Sequence, residues 1–107
     1  MKILEISKKF NIPTDTLRYY ERVGVLLSIK LDANGERNYT KKDCKAIEFI
    51  KSMTEAGVCL DSLIDYMELF CEGACTKKAR KDIIHEETGK LKKRIKTIEN
   101  AAEKLEE

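Results

Sequence analysis

Seven positions near the end of the chain limit what it can fold into. Ile84, Thr88, Leu91, Ile95, Ile98, Ala102 and Leu105 are separated by four, three, four, three, four and three residues, with charged residues between them. A stripe that returns every 3.5 residues is the seam of a coiled coil. An isolated helix with so narrow an apolar face is unstable in water. Residues 76–107 therefore require a partner helix, and the simplest partner is a second copy. The predicted dimer seam uses Ile84, Leu91, Ile95, Ile98, Ala102 and Leu105; the spacing does not reveal whether the helices run parallel or antiparallel.

The rest of the chain reads as a mainly α domain over residues 1–72. Ile3, Leu4, Ile6 and Phe10 form a short helical stripe that ends at Asn11, a residue tolerant of left-handed backbone. Pro13 suits a first helical turn, with Thr14 and Asp15 also able to cap it. Leu17 and Tyr20 mark the inner face of that second helix, and Gly24 stops it. Two short helices about three residues apart form a helix-turn-helix pattern. Residues 25–39 lose the helical period. Asn34-Gly35 lies there between two short strand candidates, flanked by Lys30, Arg37 and Tyr39, so the segment reads as a basic hairpin, or wing. Thr40 and Asp43 are spaced as a capping box for a third helix carrying Ala46, Ile47, Ile50 and Met53, with Cys44 and Phe49 alongside. Ala56-Gly57 ends it. Leu60, Leu63, Ile64, Met67 and Phe70 outline a fourth helix that stops near Glu72-Gly73, and helices three and four are expected to form a hairpin completing the core. The fold class is thus a winged helix-turn-helix domain followed by a long dimerisation helix.

Charge and length narrow the function classes. Residues 1–57 carry 11 Lys or Arg against 8 Asp or Glu, whereas residues 58–107 carry 10 against 11. The first half is the more basic, but so small a surplus leaves a nucleic-acid claim to the motifs. No apolar run approaches the roughly 20 residues of a membrane span, and MKILEISKKF lacks a signal-peptide core, so a cytoplasmic protein without a membrane partner is expected. One histidine, no Gly-rich phosphate loop and no acid–base pair outside charged helix faces argue against an enzyme. Two alternatives to a specific regulator remain: a coiled-coil protein-interaction module, and an architectural DNA binder without sequence preference.

The segments KILEISKKFNIPTDTLRYYERVGVL, GERNYTKKD and IEFIKSMTEAGVCLDSLIDYMELF together resemble the mercury-resistance-regulator (MerR) family. Within it, LFCEGACTKKARKDII is similar to a branch related to aldehyde-responsive regulators. The likeness runs from Met1 to about Leu105, and TLRYYER combined with the wing at Arg37–Tyr39 is its most specific part. It implies a homodimer joined by an antiparallel coiled coil. It also implies one helix of each subunit in a major groove, with a wing on the flanking backbone. Many such proteins bind promoter DNA across an overlong spacer and, when activated, bend and underwind it for RNA polymerase. Such deformation stores several kcal/mol that protein contacts must offset.

Arg18 is the first candidate for DNA, since a guanidinium reaches phosphates or the edge of a guanine. Thr14, Thr16 and Tyr19 share its end of the helix, and a Tyr hydroxyl commonly bonds phosphate. The resemblance places Arg18 and Tyr19 on DNA and turns Tyr20 inward. Arg37 and Tyr39 match the family's wing contacts; two apart on a strand, they would share one face. Lys30, Lys41 and Lys42 would add electrostatics without sequence preference, or simply solvate a helix start.

The cysteines are candidates for sensing, with Cys59, Cys71 and Cys75 as possible thiol sensors. Cys59 stands where the family often has a capping serine. It is either a thiol activated by a helix N-terminus or a poorly capped, partly buried residue. Cys71 and Cys75 could hold a metal, with His85 within reach, but their spacing is not that of a zinc knuckle and two thiolates leave a tetrahedral site short. No cofactor is otherwise expected, and the effector is unassigned. Cys44 reads as structural. In the aldehyde branch a cysteine can appear within FIKCM-like sequence; the stretch here is FIKSM, and Ser52 is no ready nucleophile without an activating base.

Overall fold

The computed structural model describes residues 1–27, 29–73 and 76–107, apart from the Cys71 side chain. Its elements are α1 (Ile3–Phe10), α2 (Thr14–Val23), β1 (Lys30–Leu31), β2 (Arg37–Asn38), α3 (Lys41–Glu55), α4 (Leu60–Glu72) and α5 (Lys77–Glu106).

Local chemistry explains the punctuation. At the start of α1 the Lys2 amide donates to Glu5 Oε1 at 3.2 Å. At its end Asn11 is left-handed, with φ 54°, and its amide returns to the Ser7 carbonyl. The Ser7 hydroxyl then donates to the Ile12 carbonyl at 2.6 Å, closing the tight turn into α2. Gly24, at φ 89°, ends α2 in a conformation a Cβ disfavours, which lets Val25 and Leu26 donate back to Tyr20.

The wing is a minimal hairpin in which Lys30 pairs with Asn38 and Leu31 with Arg37. Asp32 builds its tip: Oδ1 accepts from the amides of Asn34 at 2.8 Å and Glu36 at 3.0 Å. The Gly35 amide donates to the Asp32 carbonyl, and Gly35 has φ 76°. Asn34-Gly35 therefore marks the turn, although the loop is longer than a two-residue hairpin.

Thr40 and Asp43 form the reciprocal cap of α3. One core gathers Ile6, Ile12, Leu17, Val25, Leu26, Tyr39, Ile47, Ile50, Val58 and Leu63, so both helices of the helix-turn-helix, the wing root, α3 and α4 share a single interior. Lys51 of α3 donates to the Phe10 carbonyl, tying α3 to the end of α1. The expected α3–α4 hairpin meets through side chains, notably Phe49 and Tyr66, with ring centroids 5.9 Å apart. The closer backbone packing of α4 is with α5.

Thr76 makes that junction. Its buried Oγ1 lies 2.7 Å from both the Leu69 and Gly73 carbonyls, sharing its single hydrogen, and accepts from Arg80 Nε at 3.1 Å. α5 then runs 30 residues, about 45 Å at 1.5 Å per residue. It has two faces. Leu91 packs against the core, and Ile83 and Glu87 are half-buried along the same side. Arg94 reaches across to the Ala56 carbonyl at 2.9 Å. Along the same stripe as Leu91, Ile84, Ile95, Ile98 and Leu105 are left 49%, 55%, 62% and 88% exposed. Among the described residues no helix is long and apolar enough to cross a membrane.

Candidate nucleic-acid interface

α2 presents one polar face. Leu17 is fully buried and Tyr20 packs against the core, which leaves Arg18 and Tyr19 exposed and Thr14 and Thr16 half-buried at the helix start. Arg18 Nη1 lies 3.3 Å from Asp15 Oδ1, an exposed pair too weak to hold the guanidinium back from a phosphate or a base. Arg22, one turn on, stacks over the Tyr19 ring at 5.5 Å. Arg22 was not among the residues expected on DNA, yet it is exposed beside Tyr19 and extends the basic face. Pro13 caps the helix without a side-chain hydrogen bond, so the first-turn amides of α2 are not taken by a capping side chain.

The wing departs from expectation at Tyr39. That residue was expected to grip the DNA backbone beside Arg37, but it is only 2% exposed and belongs to the core. Its hydroxyl donates to Glu21 Oε1 at 3.3 Å, and its amide donates to the Met1 carbonyl at 2.7 Å. Burial, and then the Glu21 carboxylate, push the Tyr39 hydroxyl up to about 12. The physical reason is position: β2 ends at Asn38, so Tyr39 lies past the strand, where the chain dives under α2 toward α3. Arg37 turns to the same partner. Its Nε is 2.9 and 2.7 Å from the two oxygens of Glu21, which raises the guanidinium above its ordinary value. The Arg37 side chain is still 39% exposed, so its outer nitrogens border solvent.

Glu21 thus receives both wing residues from the inner end of α2, and the sequence reading missed it. Its only signal was position, one turn beyond Leu17 on the buried side. The wing tip is braced separately by ion pairs from Lys2 to Glu36 and to Asp32. Lys30, Lys41 and Lys42 are exposed around the wing and the start of α3.

Of the cysteines, Cys59 is the N-cap of α4 and is exposed, not partly buried. The amide of Ser62 and its hydroxyl, 3.8 Å from Sγ, hold the thiol below its ordinary value. The Ser62 hydroxyl also lies 2.7 Å from Glu87 Oε1 on α5. Cys44 packs against the core. The Cys71 side chain and Cys75 lie outside the described residues, so the thiol and metal readings of that pair have no structural account. His85 is exposed on α5, and Ser52 is exposed on α3. Among the described residues no group of three or more His, Cys, Asp or Glu is placed to hold a metal ion.

Comparison with known proteins accords with this geometry. Residues 1–69 match the family described as MerR HTH family regulatory protein. The chain is 45% identical over 91 residues to the HTH-type transcriptional regulator AdhR of Bacillus subtilis, covering 85% of this chain and 65% of AdhR. A MerR family transcriptional regulator from Listeria monocytogenes superimposes with a TM-score of 0.95 at 36% identity, covering 99% of this chain and 80% of that one. HiNmlR, a MerR family regulator lacking the sensor domain and solved bound to promoter DNA, shares the fold with a TM-score of 0.91 at 24% identity; the match covers 98% of this chain and 83% of that one.

Proposed function

Because the chain belongs to the MerR family of helix-turn-helix regulatory proteins, we propose that it is a sequence-specific DNA-binding transcriptional regulator acting as a homodimer on promoter DNA. One observation carries this reading: a single rigid core holds an outward basic face of α2 and also roots a helix whose apolar stripe is bare. In this reading α2 enters a major groove with Arg18, Tyr19, Thr14 and Thr16 toward DNA, and Arg22 extends the contact. Arg37 reaches flanking phosphate with the nitrogens that Glu21 leaves free. Tyr39 and Glu21 are positioning residues that set the wing against α2.

The second copy covers Ile84, Ile95, Ile98, Ala102 and Leu105, whereas Leu91, expected in the same seam, packs against the chain's own core. Distortion of the promoter spacer, with a response read by RNA polymerase, follows from the family and is part of the proposal. The likeness to AdhR supports the aldehyde-responsive branch, yet Ser52 occupies the position expected of the electrophile-taking cysteine. Cys59 is the described thiol whose setting favours reactivity: it is exposed and hydrogen-bonded by Ser62 at a helix N-terminus.

Footprinting on the DNA upstream of the gene, at several salt concentrations, tests the reading. A compact, dyad-symmetric footprint and an affinity falling steeply with salt are expected, because phosphate contacts release counterions. Binding without a preferred sequence would leave an architectural protein, and no duplex binding would leave an interaction module.

A further inference from the structure

A concavity among the described residues lies away from the basic face of α2. It is a cleft of about 830 Å³ between the wing root, the first half of α3 and the second half of α4. That volume falls in the range of small-molecule sites, about 300–1,000 Å³. One wall is a ladder of three rings: Phe49 and Tyr66 at 5.9 Å, then Tyr66 and Phe70 at 6.4 Å, with interplanar angles of 31° and 28°. Phe49 and Phe70 are 39% and 49% exposed, an unusual cost for large apolar rings on helices that also supply the core. Such a wall takes a flat apolar body by offset stacking, and Met67 beside it can adapt to shape.

The rim is net positive. Lys30, Lys42 and Lys45 border the cleft, and none forms an ion pair among the described residues. The one carboxylate there, Asp43, is committed to the cap of α3, accepting from the Thr40 amide at 2.8 Å and the Thr40 hydroxyl at 3.0 Å. It forms no ion pair with the lysines and offsets only one of their three charges. An organic cation would meet a net positive rim, and a neutral ligand would leave it unused.

We propose that this cleft binds a small organic anion with a planar aromatic body, its ring against Phe49, Tyr66 and Phe70 and its anionic group at Lys45 and its neighbours. The inference deepens the regulator reading by naming an effector class and a place for it. The cleft joins the two parts that an effector must couple. Leu26 and Leu27 lead into the wing, and Phe70 lies under the Arg80 guanidinium of α5 at 5.1 Å. An occupant would touch the wing root directly and reach α5 through Phe70, on which Arg80 rests.

Binding is measured without DNA, so its failure would leave the DNA-binding reading standing. The probe is 1-anilinonaphthalene-8-sulfonate, followed by fluorescence on the full chain, alongside the neutral analogue N-phenyl-1-naphthylamine. The proposal expects saturable binding at one site per chain. Lys45→Glu, an exposed substitution, should weaken the sulfonate by about tenfold and leave the neutral analogue within about twofold. Phe49→Ala should weaken both. The proposal is overturned if neither probe saturates, or if Lys45→Glu leaves the sulfonate unchanged. It is also overturned if a saturating operator duplex abolishes the signal competitively, because the lysine rim would then belong to the DNA interface.

Discussion

Arg94 of α5 donates to the Ala56 carbonyl at 2.9 Å, so a cation on the dimerisation helix caps the C-terminal end of α3. The contact spans 38 residues of sequence and meets the negative end of the α3 dipole. Gly57 follows at φ 93°, and a Cβ added there would fall 1.5 Å from Arg94 Nη1. The turn between α3 and α4 and the seating of α5 are therefore one feature.

Arg94→Ala should cost about 1 kcal/mol, the worth of a partly exposed charge-assisted hydrogen bond, and lower the melting temperature by several degrees. Gly57→Ala should cost about 1–2 kcal/mol from the left-handed backbone alone, plus displacement of the guanidinium. In the double variant nothing is left to displace, so the combined loss should fall short of the sum by about 0.5 kcal/mol or more. Additive losses in a thermal-melt cycle would show that the guanidinium does not depend on the missing Cβ.

The Tyr39 hydroxyl sets an alkaline limit. Its folded value of about 12 lies above the ordinary 10, so the folded state favours the neutral phenol. The stabilisation is whole below pH 10 and is lost as pH rises from 10 through 12, where the unfolded chain ionises first. Tyr39→Phe should lose the Glu21 hydrogen bond at neutral pH but show a flatter decline of melting temperature across pH 10–12 than the parent. Parallel declines would place the alkaline sensitivity elsewhere.

Arg18 and Arg37 should fail differently. Arg18→Ala is expected to cost about 1–3 kcal/mol in operator affinity and to relax preference at one base position, as loss of a guanine contact would. Arg37→Ala should weaken all duplexes alike and reduce the salt slope by about one phosphate. Glu21→Ala should imitate the wing defect although Glu21 faces away from the duplex, because Arg37 and Tyr39 lose their common anchor. Affinities against operator and scrambled duplexes at three salt concentrations separate these outcomes.

Ile95→Glu, placed mid-stripe on a side chain 55% exposed in the single chain, should abolish the dimer. Two like charges would meet near the centre of a paired seam. Sedimentation should show a monomer with circular dichroism reduced mainly by fraying of α5, and operator affinity should fall with the loss of the second half-site. A dimer that survives would move the seam off this face.

Much of this was legible in the chain because the signals were local. The Thr40–Asp43 box and the stops at Asn11 and Gly24 depend on neighbours within four residues, and each element begins or ends there. What escaped depends on contacts made across the fold. The rule of alternation put Arg37 and Tyr39 on one side, and both do reach Glu21; which side that was depended on α2, sixteen to eighteen residues away. The heptad count caught Ile84 but passed over Ile83, because the stripe for a second copy and the stripe for the chain's own body lie side by side on α5. Arg94 read as one solvated charge among many, since nothing in its neighbourhood points to Ala56.

The seating of α5 also has a mechanical meaning. Beyond Arg94 the helix continues about twelve residues to Glu106, roughly 18 Å, without support from its own body. It behaves as a lever with its fulcrum at the Ala56 carbonyl. A tilt of about 5° there moves the far end by roughly 1.5 Å, a displacement comparable to the helix shifts that reset subunit interfaces. Two such levers clasped to one another would convert a sub-ångström change beside α3 or α4 into a change in the distance between two α2 helices.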